Sequence, residues 1–326
     1  MGLTSAIEKA WYRRSPGWLW LLLPLEGVFR VLSALRRRSV RPVSAEVPVV
    51  VVGNLAVGGS GKTPLVLALT EALTARGYRV GICSRGYGSR APSYPYFVTN
   101  TSLAVEAGDE PLLLARRSGV PVVIAPDRPL AVSYLRDQCQ CNVILSDDGL
   151  QHYKMARKVE VVVIDGTRNL GNGHCLPVGP LREPPSRLGE VDFVVVNNPG
   201  QGSPVGEKMH LKPMPLQPLN GGAADSDSSV WRDDVRRVHA VAGIGNPARF
   251  FSTLRQMGLE LVEHPFADHH KFTRDDFQFA ADLPIVMTEK DAVKCGHLGL
   301  TNAWYVPVTA ELPADFLDRV IAAIEH

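Results

Sequence analysis

The hydrophobic residues of this chain gather in short uninterrupted runs, and most of these runs end in a polar or glycine-rich turn. The run at residues 49–52 has no polar face and is bounded by Pro48 and Gly53, which is typical of a strand buried in a parallel sheet. Similar runs predict further strands at residues 78–83, 120–125, 142–146, 159–164 and 193–196. Because helical patterns alternate with these strands, we expect an α/β fold of the P-loop NTPase type, a parallel sheet with helices on both faces.

The first strand runs into a glycine-rich turn, GNLAVGGSGKT, and then into a helix that ends at Gly77. A strand, a glycine loop and a helix in this order form a phosphate-binding loop, whose backbone N–H groups converge on phosphate oxygens. The residues predicted to bind the nucleotide are Gly58, Gly59, Ser60, Gly61, Lys62 and Thr63. Lys62 is expected to reach the β- and γ-phosphates, and the Thr63 hydroxyl to hold Mg²⁺. The usual motif has glycine where this chain has Ala56, so the match departs at one position.

Two adjacent aspartates, Asp147 and Asp148, follow the strand predicted at residues 142–146. Carboxylates that emerge together from a buried strand repel each other, and a cation is their natural counter-charge. Downstream of a phosphate-binding loop, such a pair is expected to hold Mg²⁺, directly or through water. The sequence therefore predicts a site for a nucleotide triphosphate and Mg²⁺.

Two polar segments near these strands have more than one interpretation. Arg85 and Tyr87 lie in a loop after a predicted strand, where ligands bind in open α/β sheets, although a plain turn explains the same residues. Asp109 precedes a helical pattern that has Pro111 in its first turn. It is placed either to cap that helix or to act as a general base beside a triphosphate.

Two arginines are candidates for contact with phosphate. Arg128 follows the strand predicted at residues 120–125 and could pair with phosphate or form only a surface salt bridge. Arg182 lies in residues 171–185, whose dense prolines and glycines predict an ordered loop or a boundary. It could complement a phosphate in the manner of an arginine finger.

The composition changes after residue 200. Residues 201–229 are rich in Pro, Gly and Ser and are predicted to be a linker that contains an extended strand at 210–219. The other predicted units are an N-terminal segment (1–42), a P-loop domain (43–200) and a smaller α/β domain (230–326). The smaller domain has predicted strands at 238–242, 259–262, 285–288 and 304–308 and predicted helices at 249–257, 273–281 and 314–324.

Histidines and acids are concentrated near residue 268. The spacing of His264, Asp268, His269 and His270 matches no standard metal site. A histidine that orients or tunes a carboxylate base is the favoured interpretation.

The first 42 residues combine positive charge with an apolar helical pattern. They hold eight basic and two acidic residues, a net charge of +6, so the remainder carries −4 within a total of +2. The longest apolar run, at 17–25, is too short to span a bilayer, which takes about 20 residues. After it, Glu26, Arg30, Ser33 and Arg37 share one helical face, which is typical of a helix lying in an anionic membrane interface. A signal peptide is disfavoured because no small-residue cleavage site follows, and a first helix packed on the domain's own core is the alternative.

The overall composition excludes several classes of protein. A chain of 326 residues with 45% hydrophobic and 21% charged residues fits two globular domains and not a disordered chain. Because no basic stripe continues through the body of the chain, nucleic acid is not predicted as a partner. No obligate protein partner is predicted. The five cysteines form no paired motif, which fits a reducing cytosol.

Taken together, the motifs GNLAVGGSGKTP, SRGYG, GDEP, DDGLQH, PVGPLREP, FADHH and TEKDAVKC closely resemble the tetraacyldisaccharide 4′-kinase family of lipid A biosynthesis, over essentially the whole chain. The resemblance implies ATP- and Mg²⁺-dependent phosphorylation of the 4′-hydroxyl of an acylated disaccharide lipid, a tetraacylated glucosamine disaccharide 1-phosphate. It also implies peripheral or monotopic attachment to the cytoplasmic face of the inner membrane. Two α/β domains joined by a β-stranded linker would hold the active site between them.

The same resemblance implies roles for individual residues. Asp109 becomes the catalytic base and His269 its partner, although the adjacent His270 leaves that choice open. Asp147 and Asp148 become metal ligands. The residues expected near substrate or phosphate are Arg85, Tyr87, Arg128, Gln151, His152 and Arg182.

Two other classes of protein stay open at this stage. A regulatory GTPase has the same glycine loop, and TEKD at 288–291 faintly resembles the guanine-reading motif N-K-x-D, although the asparagine is missing. A membrane-tethered scaffold would bind nucleotide and phosphorylate no acylated disaccharide.

Overall fold

The structure, a computed structural model, describes residues 3–13, 15–219, 236–279 and 283–325. Its strands are β1 (Val49–Gly53), β2 (Val80–Ser84), β3 (Tyr96–Val98), β4 (Val122–Ile124), β5 (Val143–Asp147), β6 (Val159–Asp165), β7 (Phe193–Asn197), β8 (Glu207–Pro213), β9 (Gln217–Pro218), β10 (Arg237–Ala242), β11 (Glu260–Pro265), β12 (Ile285–Thr288), β13 (Ala303–Val306) and β14 (Val308–Glu311). Its helices are α1 (Leu3–Trp11), α2 (Leu23–Ser39), α3 (Lys62–Ala75), α4 (Ala104–Ala107), α5 (Asp109–Ser118), α6 (Arg128–Asp137), α7 (Pro247–Gln256), α8 (Glu289–Cys295) and α9 (Phe316–Glu325). Short 3₁₀ turns lie at Gly17–Leu22, Pro185–Glu190, Arg274–Phe277 and Gly296–Leu298.

Over the described ranges the strands form two sheets. The larger has the order β14-β8-β7-β6-β1-β5-β2-β4-β3, and its neighbouring strands are parallel except at the two edges. Strand β1 lies between β5 and β6, and each of its residues is buried. The glycine-rich turn therefore emerges at the middle of the carboxyl edge of the sheet, where open α/β sheets bind their ligands.

Apolar cores cover both faces of the larger sheet, so the predicted fold class is confirmed. Val50 and Val52 belong to the core beneath α3, α5 and α9. Val49 and Val51 point to the opposite core, which contains the apolar side of α6. This two-sided burial explains why the strand has no polar face, since successive side chains point to opposite sides of a sheet.

The smaller sheet has the order β11-β10-β12-β13-β9 and is parallel apart from β9 at one edge. Two sequence predictions in this region were wrong. Only a 3₁₀ turn, Arg274–Phe277, forms within the helix predicted at 273–281, of which residues 280 and 281 lie outside the described ranges. The strand predicted at 304–308 is divided at Pro307 into β13 and β14, because proline lacks the N–H that a continuous ladder needs.

The chain passes from the larger sheet to the smaller one and then returns. Strand β8, which lies in the predicted linker, pairs with β7 of the larger sheet, whereas β9 joins the smaller one. Strand β14 then pairs with β8, and Phe316 of α9 is buried in a core of the larger sheet. The domain limits remain predictions, but strand pairing places Val308–Glu311, and core packing places α9, with the larger unit.

Helix α2 turns its polar face toward the protein. The Glu26 side chain lies inside, where it accepts a hydrogen bond from the Cys175 N–H (2.9 Å) and pairs with Nδ1 of His174 (2.8 Å). The apolar side chains exposed on the other face are Leu25, Val28, Val31, Leu32 and Leu35. By length and composition, Gly17–Ser39 could cross a membrane. The alternative of a helix whose apolar face covers the core does not fit this orientation.

Candidate active site

The glycine-rich turn (residues 53–61, the phosphate loop) depends on glycine at two positions. Gly58 and Gly61 have φ angles of +110° and +95°, in the region that favours glycine. A Cβ atom on Gly61 would lie 2.5 Å from Nδ2 of Asn197. Asn54 closes the turn by donating from Nδ2 to the Gly58 carbonyl (3.0 Å). The loop thus leads into the N-terminus of α3 in the form predicted for phosphate binding.

The proline-rich loop at 171–185 lies along the phosphate loop. Ala56 forms a β-bridge with Leu181, and the Arg182 N–H donates to the Leu55 carbonyl (2.7 Å). Ala56 is not among the described residues with positive φ, so alanine replaces the usual glycine there without strain. This pairing brings the Arg182 side chain to the acidic end of β5.

Asp148 lies between two cations. Its Oδ1 atom is 3.6 Å from Nζ of Lys62 and 3.2 Å from Nη1 of Arg182. Burial alone would raise the pKa of this carboxyl, but the two cations outweigh it and hold the pKa below its usual range. Asp148 therefore carries a negative charge that keeps Lys62 and Arg182 next to the phosphate loop.

Asp147 differs from its neighbour because it is buried and forms no ion pair within the part of the chain that the structure describes. Its Oδ2 atom accepts from Oγ of Ser84 (3.4 Å), and Oδ1 has no hydrogen-bond partner among the described residues. Burial, followed by the negative charge of Glu110, raises the pKa of Asp147 to about 7.

This unsatisfied carboxylate oxygen suits a hard divalent cation, because Mg²⁺ prefers oxygen ligands. The described residues contain no cluster of three or more metal-ligating side chains. Mg²⁺ in nucleotide enzymes is usually held by one or two carboxylates together with substrate phosphates, so the unsatisfied Oδ1 atom of Asp147 fits it.

Asp109 is the first residue of α5, and the N-cap position is occupied by Gly108. The prediction that Asp109 caps the helix was therefore wrong. Its Oδ2 atom instead lies 3.3 Å from Nδ1 of His269, which belongs to the loop after β11. The Tyr87 ring lies 5.5 Å from the His269 ring, between centroids.

The adjacent histidine has a different environment. His270 lies 3.2 Å from the Asp276 carboxylate, and its ring is in contact with Phe266 and Phe272. Of the two candidates, His269 is therefore the one that meets Asp109.

A second pair, an ion pair that the sequence did not predict, also joins the two units near Asp109. Nζ of Lys290 lies 3.1 Å from Oε1 of Glu110 and 3.8 Å from Oδ1 of Asp268. Burial raises the pKa of Glu110, but the charges of Lys290 and Lys62 outweigh it and keep the pKa below its usual range. Both residues lie in motifs that had been noted, GDEP and TEKD, but spacing along the chain does not indicate that they meet.

The TEKD segment has a structural role. Asp291 is fully buried and accepts hydrogen bonds from the Gly243 N–H (2.8 Å) and from Oγ1 of Thr288 (2.6 Å). It thereby fixes the loop at 243–247, and it is not available to read a guanine base.

The side chains around Asp109 line a cleft of about 410 Å³ that also contacts α2. The predicted site residues that line it are Arg85, Tyr87, Asp109, Arg128, Asp148, Gln151, Arg182 and His269. Helix α2 contributes Phe29, Ser33 and Arg36. One wall of the cleft is therefore formed by the helix whose outer face is apolar.

Two predicted substrate residues have other contacts. Arg128 is 2% exposed and donates to Oγ of Ser146 (2.7 Å) and to the Asp148 carbonyl (3.1 Å), so it supports the acidic turn. The His152 ring does not belong to the lining of the cleft, and its Nε2 atom is 3.9 Å from Oδ1 of Asp127. Burial, together with the positive charge of Arg128, lowers the pKa of His152 to about 4.

A phosphate loop on the central strand, with an acidic strand end beside it, defines a nucleotide-binding enzyme of the P-loop class. More specifically, the chain belongs to the tetraacyldisaccharide-1-P 4′-kinase family, whose model matches residues 18–325. It is 47% identical over 322 residues to the tetraacyldisaccharide 4′-kinase of Aeromonas salmonicida, covering 97% of this chain and 95% of that protein. It is 46% identical over 328 residues to that of Alcanivorax borkumensis, covering 98% and 97%.

A solved structure supports the same conclusion. The chain is similar to LpxK from Aquifex aeolicus in complex with ATP, with a TM-score of 0.76 and 28% identity, covering 94% of this chain and 99% of that one. The family resemblance and the predicted fold are thus confirmed. The chain is a kinase, and the GTPase alternative is not favoured.

Proposed function

We propose that this kinase transfers the γ-phosphate of ATP to the 4′-hydroxyl of a tetraacylated glucosamine disaccharide 1-phosphate, which gives lipid IVA. The proposal is supported by family membership and by the name of the relatives, tetraacyldisaccharide 4′-kinase. The observation that carries it is the pairing of Asp109 with His269 at a cleft that also reaches Asp148, next to Lys62. A hydroxyl in this cleft would meet a carboxylate on one side and the nucleotide's terminal phosphate on the other.

The phosphate loop and Lys62 bind and orient the nucleotide phosphates. Thr63 and Asp147 would hold Mg²⁺, which when bound neutralises charge on the phosphates. Asp148 is proposed as a further ligand, and this role requires its carboxylate to leave one of its two cationic partners. The arginine released, Arg182, could then pair with a phosphate oxygen.

Asp109 accepts the proton of the sugar hydroxyl as that oxygen bonds to the phosphorus and the bond from phosphorus to ADP breaks. His269 holds the carboxylate in place for this proton transfer. Arg85, Tyr87 and Gln151 line the same cleft and are proposed to position the substrate. Arg128, which lies in the cleft wall, and His152, which lies outside the lining, are proposed to support this surface.

The location of the enzyme follows from its two substrates. The acylated disaccharide lies in a membrane, and α2 exposes apolar side chains beside the cleft. ATP is present in the cytoplasm. We therefore propose peripheral or monotopic attachment to the cytoplasmic face of the inner membrane, with anionic lipids attracted by the basic N-terminal segment.

The test is transfer itself. Purified protein is incubated with the acylated disaccharide 1-phosphate in mixed micelles, ATP and Mg²⁺, and the lipid is analysed by mass spectrometry. The expected product has gained one phosphate. It should not form when a metal chelator is added or when GTP replaces ATP. Nucleotide binding without any phosphorylated disaccharide would instead indicate a scaffold.

A further inference from the structure

A half-buried arginine of the smaller unit reaches the phosphate loop through one intermediate residue. Arg249, in the first turn of α7, donates from Nη2 to Oδ1 of Asn197 (3.0 Å). Asn197 ends β7 and donates from Nδ2 to the Ser60 carbonyl (3.0 Å). The Asp165 carboxylate lies near enough to Arg249 to offset part of the effect of burial, which lowers its pKa. The two hydrogen bonds connect the smaller unit to the nucleotide-binding backbone.

The order of donors and acceptors fixes the direction of the Asn197 amide. A guanidinium group has only donors, so it takes the amide oxygen of Asn197 and leaves the amide nitrogen for Ser60. The peptide bond between Ser60 and Gly61 is planar, and in a trans peptide the C=O and the N–H point in opposite directions. Because the Ser60 carbonyl points to Asn197, the Gly61 N–H points away from Asn197. Gly61 is the N-cap of α3, and phosphate binds at such a helix N-terminus.

A second contact joins the same two parts of the molecule. Nη2 of Arg168, which follows β6, donates to the Gly245 carbonyl (2.6 Å). A Cβ atom on Gly58 would lie 3.3 Å from the Arg168 guanidinium, and one on Gly245 would lie 3.7 Å from the Gly59 nitrogen. The loop at 243–247 thus lies directly against the phosphate loop.

We propose that Arg249 is a positioning residue for the nucleotide phosphates, acting through Asn197 to hold the phosphate loop in its binding shape. Binding of the β-phosphate then depends on the smaller unit resting against the larger one. The inference rests on nucleotide binding at the phosphate loop, as proposed above, and it is independent of the identity of the acceptor.

The experiment measures dissociation constants for ADP and for AMP, which lacks the β-phosphate. Arg249→Ala is expected to weaken ADP binding about tenfold, as for the loss of a hydrogen bond with a charged partner, and to change AMP binding less than twofold. Arg249→Lys should recover part of the loss because it keeps a cationic donor. Arg255→Ala is the matched control, since Arg255 lies on the same helix, is exposed and pairs with Glu263.

Asn197→Asp tests the intermediate residue, because a carboxylate still accepts from Arg249 but cannot donate to the Ser60 carbonyl. It should weaken ADP binding at least as much as Arg249→Ala, and the double variant should bind ADP no more weakly than Asn197→Asp alone. Unchanged ADP binding in Arg249→Ala, equal losses for ADP and AMP, or additive effects in the double variant would each overturn the proposal. These measurements involve no lipid, so they stand apart from the test of phosphoryl transfer.

Discussion

The Nδ1 atom of His269 lies 3.3 Å from Oδ2 of Asp109, and the two residues belong to different units of the protein. Asp109 begins helix α5, which packs on the larger sheet, whereas His269 follows β11, an edge strand of the smaller sheet. The pair therefore exists only while the two units lie together. Any movement between them would assemble or separate the proposed base and its orienting partner.

Replacement of Asp109 by alanine should lower kcat at least ~100-fold, because the substrate hydroxyl loses its proton acceptor. The dissociation constant for ATP should stay near that of the unmodified enzyme, since Asp109 is not part of the phosphate loop. Initial rates with saturating lipid and a separate binding titration measure the two quantities. Near-normal turnover would refute the assignment of the base.

Replacement of His269 by alanine should cause a smaller loss of kcat, because this residue only orients the carboxylate. Added to Asp109→Ala, it should change kcat little further, since its effect passes through a group that is already absent. His270→Ala is the control, as that ring faces Asp276. A larger kcat loss in His270→Ala than in His269→Ala would contradict the pairing.

Replacement of Lys290 by methionine should lower kcat/KM roughly tenfold and also lower the melting temperature. The change leaves the Glu110 carboxylate partly buried without its nearest cation. Adding Glu110→Gln should restore much of the melting temperature, because no uncompensated charge remains. Lys271→Ala, at an exposed lysine of the neighbouring loop, should leave both quantities unchanged. If Lys290→Met melts and turns over like the unmodified enzyme, the ion pair has no role in joining the units.

Replacement of Leu25 and Leu32 by glutamate should weaken binding to anionic vesicles by tenfold or more. Burial of one leucine side chain stabilises by about 1.5–3 kcal/mol, and both side chains are more than half exposed on α2. Co-sedimentation with vesicles measures the effect. The control is Val205→Glu, since Val205 is 98% exposed and lies far along the chain from this helix. Equal vesicle binding by the double variant would remove the case for an interfacial helix.

The environment of His152 should make stability depend on pH. Its pKa is about 4 in the folded protein and 6.5 as the ordinary value, so the unfolded chain binds more protons between these limits. The free energy of unfolding should therefore rise as pH increases from 4 to 6.5, and His152→Gln should reduce that dependence. Denaturant unfolding at several pH values measures it, with the exposed His210→Gln as the control. An identical pH dependence in His152→Gln and the unmodified protein would rule out this contribution.

The parts of the fold that the sequence could predict are those set by local pattern. The valine run of β1 indicates a strand that is buried on both faces. The glycines of the phosphate loop indicate a turn that needs positive φ angles. Both patterns can be read along the chain. The return of β14 to the larger sheet was not readable, because Val308–Glu311 has no pattern that distinguishes pairing with β8 from pairing in the smaller sheet.

In the candidate site, too, the residues set by local pattern could be predicted and those set by contacts between distant segments could not. Asp147 and Lys62 could be identified because each lies at a fixed offset from a strand. The meeting of Glu110 with Lys290 depends on how two units approach each other, which short-range spacing does not encode. His152 lies in a motif beside residues that line the cleft, but its side chain lies near Asp127 and outside the lining, which the motif does not indicate.

The Glu26 carboxylate has a consequence for protein engineering. It satisfies the backbone of Cys175, one residue before the stretch that leads to Arg182 beside the phosphate loop. Deleting the N-terminal helix to obtain a more soluble protein would remove that support from the proline-rich loop at 171–185. Solubility is better improved by replacing the exposed apolar side chains of this helix with polar ones, which leaves Glu26 in place.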